Sequence, residues 1–188
     1  LDGPERLGAY VDEEFDVWVG PFVMAAVNTR VVRSSNELLN GAYGTDFRYD
    51  EGTVISKGAK GFLGANAVGA GTMAFAGLAA LPITRPLLKK FLPKPGEGPT
   101  PEAIENGHYH IELRGIHPTD PSKNMTAHVR GDKDPGYGST SKMIVESALA
   151  LAQDDLPVKG GFWTPASAMG DALLSRLPAS AGVTFEIE

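Results

Sequence analysis

An uncharged segment, residues 61–84, constrains the fold of this chain more than any other feature of its sequence. Its 24 residues include 12 glycines or alanines and eight large apolar side chains. A helix that crosses a bilayer needs about 20 apolar residues, so the segment is long enough to span one. Its glycine and alanine content weakens its transfer into lipid, and Pro82 breaks its end. Ordinary core is therefore the first interpretation. A partly exposed apolar surface, for an acyl chain, a membrane face or a partner subunit, is the second.

A glycine-rich match to the dinucleotide pattern G-x-G-x-x-A lies inside this segment, at Gly69-Ala70-Gly71-Thr72-Met73-Ala74. The pattern binds a cofactor where a strand precedes it, a helix follows, and an acidic residue stands about twenty positions later. Here residues 61–68 are a poor strand, and the next acidic residue is Glu97. The abundance of small residues explains the match. We expect no cofactor to be bound by this chain itself.

Composition places the chain among soluble globular proteins and excludes several kinds of site. Its 188 residues are 42% apolar and 21% charged, which fits one ordinary domain. The net charge of −6 argues against nucleic acid as a partner. The absence of cysteine excludes disulfides, a thiol nucleophile and a thiolate metal site. Residues 1–16 are acidic and polar, unlike a signal peptide, so we expect a cytoplasmic protein, with membrane association through residues 61–84 left open.

Signals in the first part of the chain predict a helix between two extended pieces. Residues 15–19 favour a short strand, and Gly20-Pro21 opens a helix, since proline is tolerated in the first helical turn. Asn40-Gly41 ends that helix, because both residues tolerate left-handed geometry. Residues 47–56 then favour extended structure. Four apolar side chains near helical spacing predict the buried stripe of the helix: Met24, Val27, Val31 and Leu38.

A proline- and glycine-rich linker at residues 92–107 leads to a second group of elements. Thr164-Pro165 marks the start of the last helix, with threonine as N-cap and proline at the first helical position. Helices and hairpins in mixed order predict an α+β fold with a mostly antiparallel sheet covered by helices. The predicted strands are 108–114, 126–130 and 183–187, and the predicted helices are 139–153 and 164–177.

The polar side of the first helix supplies the candidate substrate-binding residues Asn28, Arg30 and Ser34. The Arg30 guanidinium and the Asn28 amide could hold an anionic substrate group, or a cofactor bound by another domain. A surface role explains Arg30 equally well. Arg33 and Glu37 stand at i, i+4 spacing, and a solvated ion pair explains them.

Tyrosines supply the candidate proton donors, Tyr43, Tyr49 and Tyr137. A phenol acts near neutral pH only beside a cation, and none of the three has an adjacent lysine in the sequence. We therefore assign no catalytic residue. Tyr43 and Tyr49 are predicted to line the substrate pocket.

Histidine spacing does not predict a metal site. His108 and His110 stand at i, i+2, which places them on one face of a strand. A third ligand is missing from their neighbourhood in the sequence, and polar alternation on a solvated strand explains both residues as well. No metal is expected.

Five stretches resemble the saccharopine dehydrogenase-like oxidoreductases, the family that includes trans-acting enoyl reductases. They occur in the family's order over most of the chain: NTRVVRSSNELL, YGTDFRYDE, FLPKPGEGPTPE, GDKDPGYGSTSKM and WTPASAMGDALLSRL. The resemblance implies an N-terminal Rossmann domain that binds NAD(P), followed by a substrate and dimerisation domain. It also implies reduction of an acyl double bond in lipid synthesis.

The resemblance implies that residues 1–188 form the substrate-binding and dimerisation domain alone. Residues 1–19 would lead in from the nucleotide-binding domain, and residues 164–188 would supply the closing helix and strand. Since the chain begins at Leu1 and lacks a credible cofactor loop, we expect a fragment that is inactive by itself. Its expected partners are the missing N-terminal nucleotide-binding domain, an acyl or lipid-like substrate and a second copy of the chain.

Two other functions stay open. A non-enzymatic module that binds lipid or a membrane surface would use the apolar segment and need no pocket beside Arg30. An amino-acid dehydrogenase of the saccharopine type would need several cationic side chains around its pocket to hold multiple carboxylates. The chain offers few, so this alternative ranks last.

Overall fold

The computed structural model describes residues 8–13, 15–94 and 96–188. Over these residues the chain has six α-helices and two antiparallel sheets of three strands each, which confirms the predicted α+β class. The chain divides into two compact units, Leu1–Glu97 and Gly98–Glu188, and the division falls within the predicted linker. The assignment of a single substrate-binding domain to residues 1–188 stays a prediction. Of its predicted lead-in, residues 1–7 and Glu14 lie outside the described residues.

The first unit is built on a sheet of three strands, β1 Tyr10–Asp12, β2 Val17–Pro21 and β3 Gly52–Ser56, in the order β1-β2-β3. The central strand β2 pairs with both neighbours, with Val19 opposite Tyr10 and Gly20 opposite Thr53. The predicted strand at 15–19 is thus found two residues further along. The elements of this unit are β1 Tyr10–Asp12, β2 Val17–Pro21, α1 Ala25–Leu38, β3 Gly52–Ser56, α2 Gly58–Ala80 and α3 Arg85–Leu88.

The prediction that Gly20-Pro21 opens the first helix is wrong. Both residues belong to β2, and α1 begins only at Ala25. Proline is accepted here because it ends the strand, where a missing amide disturbs the ladder least. Gly20 is needed because α2 crosses it closely: a Cβ there would lie 3.4 Å from Val68 Cγ1.

The predicted buried stripe of α1 is also wrong, since Val27 and Val31 are 55% and 43% exposed. The buried side chains of the helix are Thr29 and Ser35, whose hydroxyls donate to the carbonyls four residues earlier at 2.7 and 2.8 Å. Periodicity identifies two faces of a helix, but the segment that covers one of them lies elsewhere in the chain. The predicted end of the helix is confirmed, because Asn40 and Gly41 have φ values of 56° and 77°.

Helix α2 packs on β2 and β3 through a row of small residues, Gly61, Ala65 and Gly69. A Cβ at Gly61 would collide with the Ser56 carbonyl and lie 2.8 Å from Trp18 Cδ1. The small residues therefore set how closely the helix approaches the sheet. The rest of α2 contributes little to the core of this unit, and most of its large apolar side chains are exposed.

The second unit contains a sheet of three strands, β4 Tyr109–Gly115, β5 Met125–Gly131 and β6 Val183–Ile187, in the order β4-β5-β6. The predicted hairpin is confirmed as β4 and β5, with Ile111 opposite Val129, and the predicted last helix begins with Thr164 as its cap. Its core consists of two buried clusters, around Ala150 and Val183. The elements are α4 Pro101–Asn106, β4 Tyr109–Gly115, β5 Met125–Gly131, α5 Gly138–Gln153, α6 Pro165–Arg176 and β6 Val183–Ile187.

Candidate functional site

A hydrogen-bonded cluster joins α1 to the segment that precedes β3. The Glu51 carboxylate accepts from Asn28 Nδ2 at 2.9 Å and from the Tyr49 hydroxyl at 2.9 Å. The Arg33 guanidinium donates to the Tyr49 carbonyl at 3.4 Å. We call Asn28, Arg33, Phe47, Tyr49 and Glu51 the Tyr49 cluster. The cluster lies against the side of α1 that carries Asn28 and Arg33.

The phenol of Tyr49 is held in its neutral form. Burial raises its pKa well above the ordinary value of 10.0, and the hydrogen bond to Glu51 and the charges of Glu51 and Asp50 add to that shift. A weaker acid whose proton already points at Glu51 is a poor donor to a substrate. Tyr49 therefore fits a positioning or lining role better than acid catalysis.

Three aromatic rings form a half-exposed row beside this cluster. The rings of Tyr43 and Phe47 meet edge to face at 5.2 Å, and those of Phe47 and Tyr49 stack at 6.3 Å. Such a surface can contact an apolar chain or a flat group through ring faces while its hydroxyls stay in water. The sequence-predicted pair of tyrosines is thus brought together through Phe47.

The structure does not bring Arg30 and Ser34 to the Tyr49 cluster. Both are exposed and lie on the opposite side of α1 from Asn28, since positions two and six residues further along a helix point away from it. Their predicted role in substrate binding stays a prediction, but it would require a surface separate from the one around Tyr49.

Three residues of the cluster are absent from the site predicted from the sequence. Arg33 is predicted to form a solvated pair with Glu37, although it reaches the Tyr49 carbonyl, and Phe47 and Glu51 are not predicted as site residues. A signal for Glu51 was available: in extended backbone, residues two apart share a face, so Tyr49 and Glu51 point the same way.

In the second unit the predicted candidates are dispersed. Tyr137 is exposed and precedes α5. His108 lies outside β4, so it shares no strand with His110; instead His110 Nε2 lies 3.0 Å from His128 Nδ1 on β5. Among the described residues, no group of three or more His, Cys, Asp or Glu side chains is arranged to hold a metal ion.

The exposure of α2 bears on the two leading interpretations of residues 61–84, ordinary core and a partly exposed apolar surface. The helix is long and apolar enough to cross a membrane, yet only 11% of its most apolar 18-residue stretch is buried within the protein. Most of α2 is therefore not core of the first unit, and its exposure favours the second interpretation. The use of this surface for an acyl chain, a membrane face or a partner subunit stays a prediction. The dinucleotide-like match begins at Gly69, in the middle of this continuous helix, rather than at the strand-to-helix turn where such a motif binds phosphates.

Sequence comparison relates nearly the whole chain to one group of proteins. A Mycobacterium tuberculosis (strain H37Rv) protein, named as a candidate trans-acting enoyl reductase, is 43% identical over 195 aligned positions. The alignment covers 98% of the chain and 45% of that relative. Trans-acting enoyl reductases of Mycobacterium bovis (strain BCG) and Mycobacterium ulcerans (strain Agy99) are 42% and 41% identical, over 89% and 86% of the chain. The chain is homologous to the trans-acting enoyl reductases.

The homologous part is the C-terminal part of those enzymes. The chain spans somewhat less than half the length of the curated relatives it matches, between 39% and 45% for these three. Since 98% of the chain aligns with the first relative, the homology takes in both the Tyr49 cluster and α2. No family profile matches the chain, and no solved structure matches it.

The hydrogen bond to Glu51 has a measurable consequence for the titration of Tyr49. Glu51→Gln should lower the pKa of Tyr49 toward 10.0 without reaching it, because burial, the larger cause, remains. The measurement is an NMR titration of protein labelled at the tyrosine Cζ, with Tyr49→Phe identifying the resonance. Asp46→Asn, at an exposed carboxylate in the same segment, should leave the titration unchanged. A Tyr49 that ionises near 10.0 in the unsubstituted chain would contradict the cluster geometry.

Proposed function

We propose that this chain is the substrate-binding part of a nicotinamide-dependent enoyl reductase that acts on an acyl, lipid-like substrate. The observation that carries the proposal is 43% identity over 98% of the chain to a protein named as a candidate trans-acting enoyl reductase. Identity at that level over both units is far more specific than any single motif in the sequence.

The proposal divides the chemistry between this chain and the remainder of a longer protein. Hydride transfer to a double bond needs NADH or NADPH held against the acyl group. The glycine-rich match in α2 lacks the context for binding phosphate. An N-terminal nucleotide-binding domain is therefore the proposed source of the cofactor, and the isolated chain is proposed to be inactive. A homodimer in the cytoplasm is the proposed assembly.

The described surface supports an acyl substrate rather than a polar one. The row of Tyr43, Phe47 and Tyr49 offers ring faces, and Glu51 is already occupied by Asn28 and Tyr49. An amino-acid substrate with several carboxylates would need cations converging on one pocket. In the Tyr49 cluster Arg33 is the single cationic side chain, and it contacts the backbone of Tyr49.

A chimera tests the proposal. The C-terminal 45% of the Mycobacterium tuberculosis relative is replaced by this chain, and oxidation of NADH or NADPH is followed with α,β-unsaturated acyl thioesters of increasing chain length. We expect reduction by the chimera and none by the isolated chain. A folded chimera that binds NADPH but reduces no acyl thioester would overturn the proposal. Reduction by the isolated chain would overturn the proposed division of the chemistry.

Arg30 provides a specific prediction within that assay. If its guanidinium holds an anionic group of the substrate, Arg30→Ala should lower kcat/KM by about 10- to 100-fold, the usual effect of losing a charge-assisted hydrogen bond. Lys159→Ala, at an exposed cation of the second unit, should change kcat/KM less than twofold. Equal activity of the two variants would remove Arg30 from the site and leave the aromatic row as the binding surface.

The second candidate function, a non-enzymatic lipid-binding module, is favoured by the exposure of α2. It makes the opposite prediction for the chimera, because a lipid-binding scaffold would not restore reduction when joined to a nucleotide-binding domain.

A further inference from the structure

We propose that residues 73–94 attach this protein peripherally to an anionic lipid bilayer. We call these residues the basic apolar segment; they comprise the free end of α2, helix α3 and the residues that follow. The inference rests on exposure, charge distribution and backbone hydrogen bonding within the first unit. It does not depend on the proposed reductase function.

Large apolar side chains of the basic apolar segment face solvent. Ile83 and Phe91 are 87% and 80% exposed, values far above those of a packed side chain. A contiguous exposed surface of this kind on a soluble protein marks a place where something apolar binds. The other exposed large apolar residues of the segment are Met73, Phe75, Leu78, Leu81, Leu87 and Leu92.

The charge of the same region is the reverse of that of the rest of the chain. Residues 52–96 contain six lysines or arginines and no aspartate or glutamate, whereas the remaining 143 residues contain 11 basic and 23 acidic residues. Four of the six cations lie in the basic apolar segment: Arg85, Lys89, Lys90 and Lys94. Apolar residues that enter a bilayer interface, flanked by cations that meet anionic headgroups, are the ordinary composition of a peripheral membrane element.

Backbone hydrogen bonding at the end of α2 suits a water-poor environment. The Arg85 guanidinium donates to the carbonyls of Ala79 at 3.0 Å and Ala80 at 3.5 Å. The Thr84 hydroxyl lies 2.9 Å from the Leu81 carbonyl and also contacts that of Leu78. Carbonyls at a helix end must find such partners before they leave water. An open hollow of about 230 Å³ beside this end is lined by Phe75, Ala79, Leu88 and Leu92, with Arg85 and Lys89 also contributing.

The packing of α2 indicates peripheral attachment rather than a membrane span. The first half of the helix lies against the sheet through Gly61, Ala65 and Gly69, so that half is already engaged with protein. Beyond it, a Cβ added at Gly71 or Gly77 would meet nothing within 4 Å. We therefore place the lipid contact on the second half of α2 and the residues after it.

A second copy of the chain fits this surface less well than a bilayer does. In a symmetric dimer the same patch faces itself, which would bring the four cations of one basic apolar segment close to the four of the other. That patch contains no acidic residue to offset them. Anionic headgroups supply the missing negative charge.

Vesicle flotation of the full 188-residue chain tests the inference. Vesicles of phosphatidylcholine alone are compared with vesicles of equal parts phosphatidylcholine and phosphatidylglycerol. We expect binding to the anionic vesicles and little binding to the neutral ones. The double variant Lys89→Gln/Lys90→Gln should bind the anionic vesicles about 30-fold more weakly. Ile83→Ser/Phe91→Ser should also lose binding, through its apolar contribution.

Matched controls distinguish binding through this segment from nonspecific adsorption to vesicles. Phe162 is 96% exposed and Lys159 is exposed, both in the second unit, so Phe162→Ser and Lys159→Gln should leave binding unchanged. Equal binding by all variants, or no binding by the unsubstituted chain, would overturn the inference. A third result would also overturn it: a dimer in sedimentation equilibrium that dissociates in Ile83→Ser/Phe91→Ser, together with no vesicle binding. That result would assign the surface to a second copy of the chain.

Discussion

Gly61→Ala is expected to lower the free energy of unfolding of the first unit by about 3 kcal/mol, the upper part of the range for overpacking. The added methyl group would collide with the Ser56 carbonyl and lie 2.8 Å from Trp18 Cδ1. A backbone carbonyl cannot rotate away as a side chain can, so α2 would have to move off β2 and β3. The loss would come from the packing that holds the sheet of this unit together.

Urea unfolding followed by tryptophan fluorescence measures this effect. The chain has two tryptophans, so a Trp163→Phe background leaves Trp18, beneath α2, as the reporter of the first unit. Gly71→Ala is the matched control on the same helix, since its Cβ would meet nothing within 4 Å. It should stabilise the unit by up to about 1 kcal/mol through helix propensity. Equal shifts for the two variants would mean that α2 does not pack on the sheet as described.

Arg176→Met is expected to lower the Tm of the second unit by on the order of 10 °C, since it leaves two carboxylates without their partner inside the protein. Arg176 binds Asp154 through two nitrogens, at 2.8 and 2.6 Å, and Glu146 at 3.2 Å. The Glu146 side chain is only 12% exposed. Through this one guanidinium α6 is fixed to both the middle and the end of α5.

Scanning calorimetry with two companion variants tests the Arg176 prediction. Arg130→Met removes an ion pair with Glu186 that is largely open to solvent, and it should change the Tm by no more than a degree or two. Adding Glu146→Gln to Arg176→Met should recover part of the loss, because it removes the unpaired buried charge. A fall equal to that of Arg130→Met would show that the Arg176 pairs are solvated.

The same ion pairs make the stability of the second unit depend on pH. The hydrogen bond from Arg176 holds the pKa of Asp154 below its ordinary value of 3.8. The contribution of the Asp154–Arg176 pair to the free energy of unfolding is therefore fully present above pH 3.8. It is lost as the pH falls through the lower pKa that Asp154 has in the folded state. The Tm difference between the unsubstituted chain and Arg176→Met should narrow in that acidic range.

Local signals allowed much of the fold to be predicted. Left-handed geometry at Asn40-Gly41, capping by Thr164 and alternation in the hairpin of β4 and β5 each depend on a few neighbouring residues. These features can be predicted from a single sequence because local sterics and hydrogen bonding exclude the competing structures. The resemblance to enoyl reductases was likewise carried by short stretches in a fixed order.

The tertiary structure decided which surfaces are covered. Gly20-Pro21 would suit either a helix start or a strand end, and pairing with β3 selected the strand. Glu51 reaches Asn28, 23 residues away, whereas Val27, beside Asn28 on the same helix, stays exposed.

The sequence by itself determined that residues 61–84 are uncharged and rich in small residues, and that the chain alternates helices with antiparallel strands. Only the tertiary structure decided that α2 buries Gly61, Ala65 and Gly69 and leaves its larger side chains in solvent. The physical reason is that apolar composition measures how favourable burial would be, whereas burial itself requires a partner surface. In the first unit the sheet supplies that surface along the face of α2 that carries Gly61, Ala65 and Gly69.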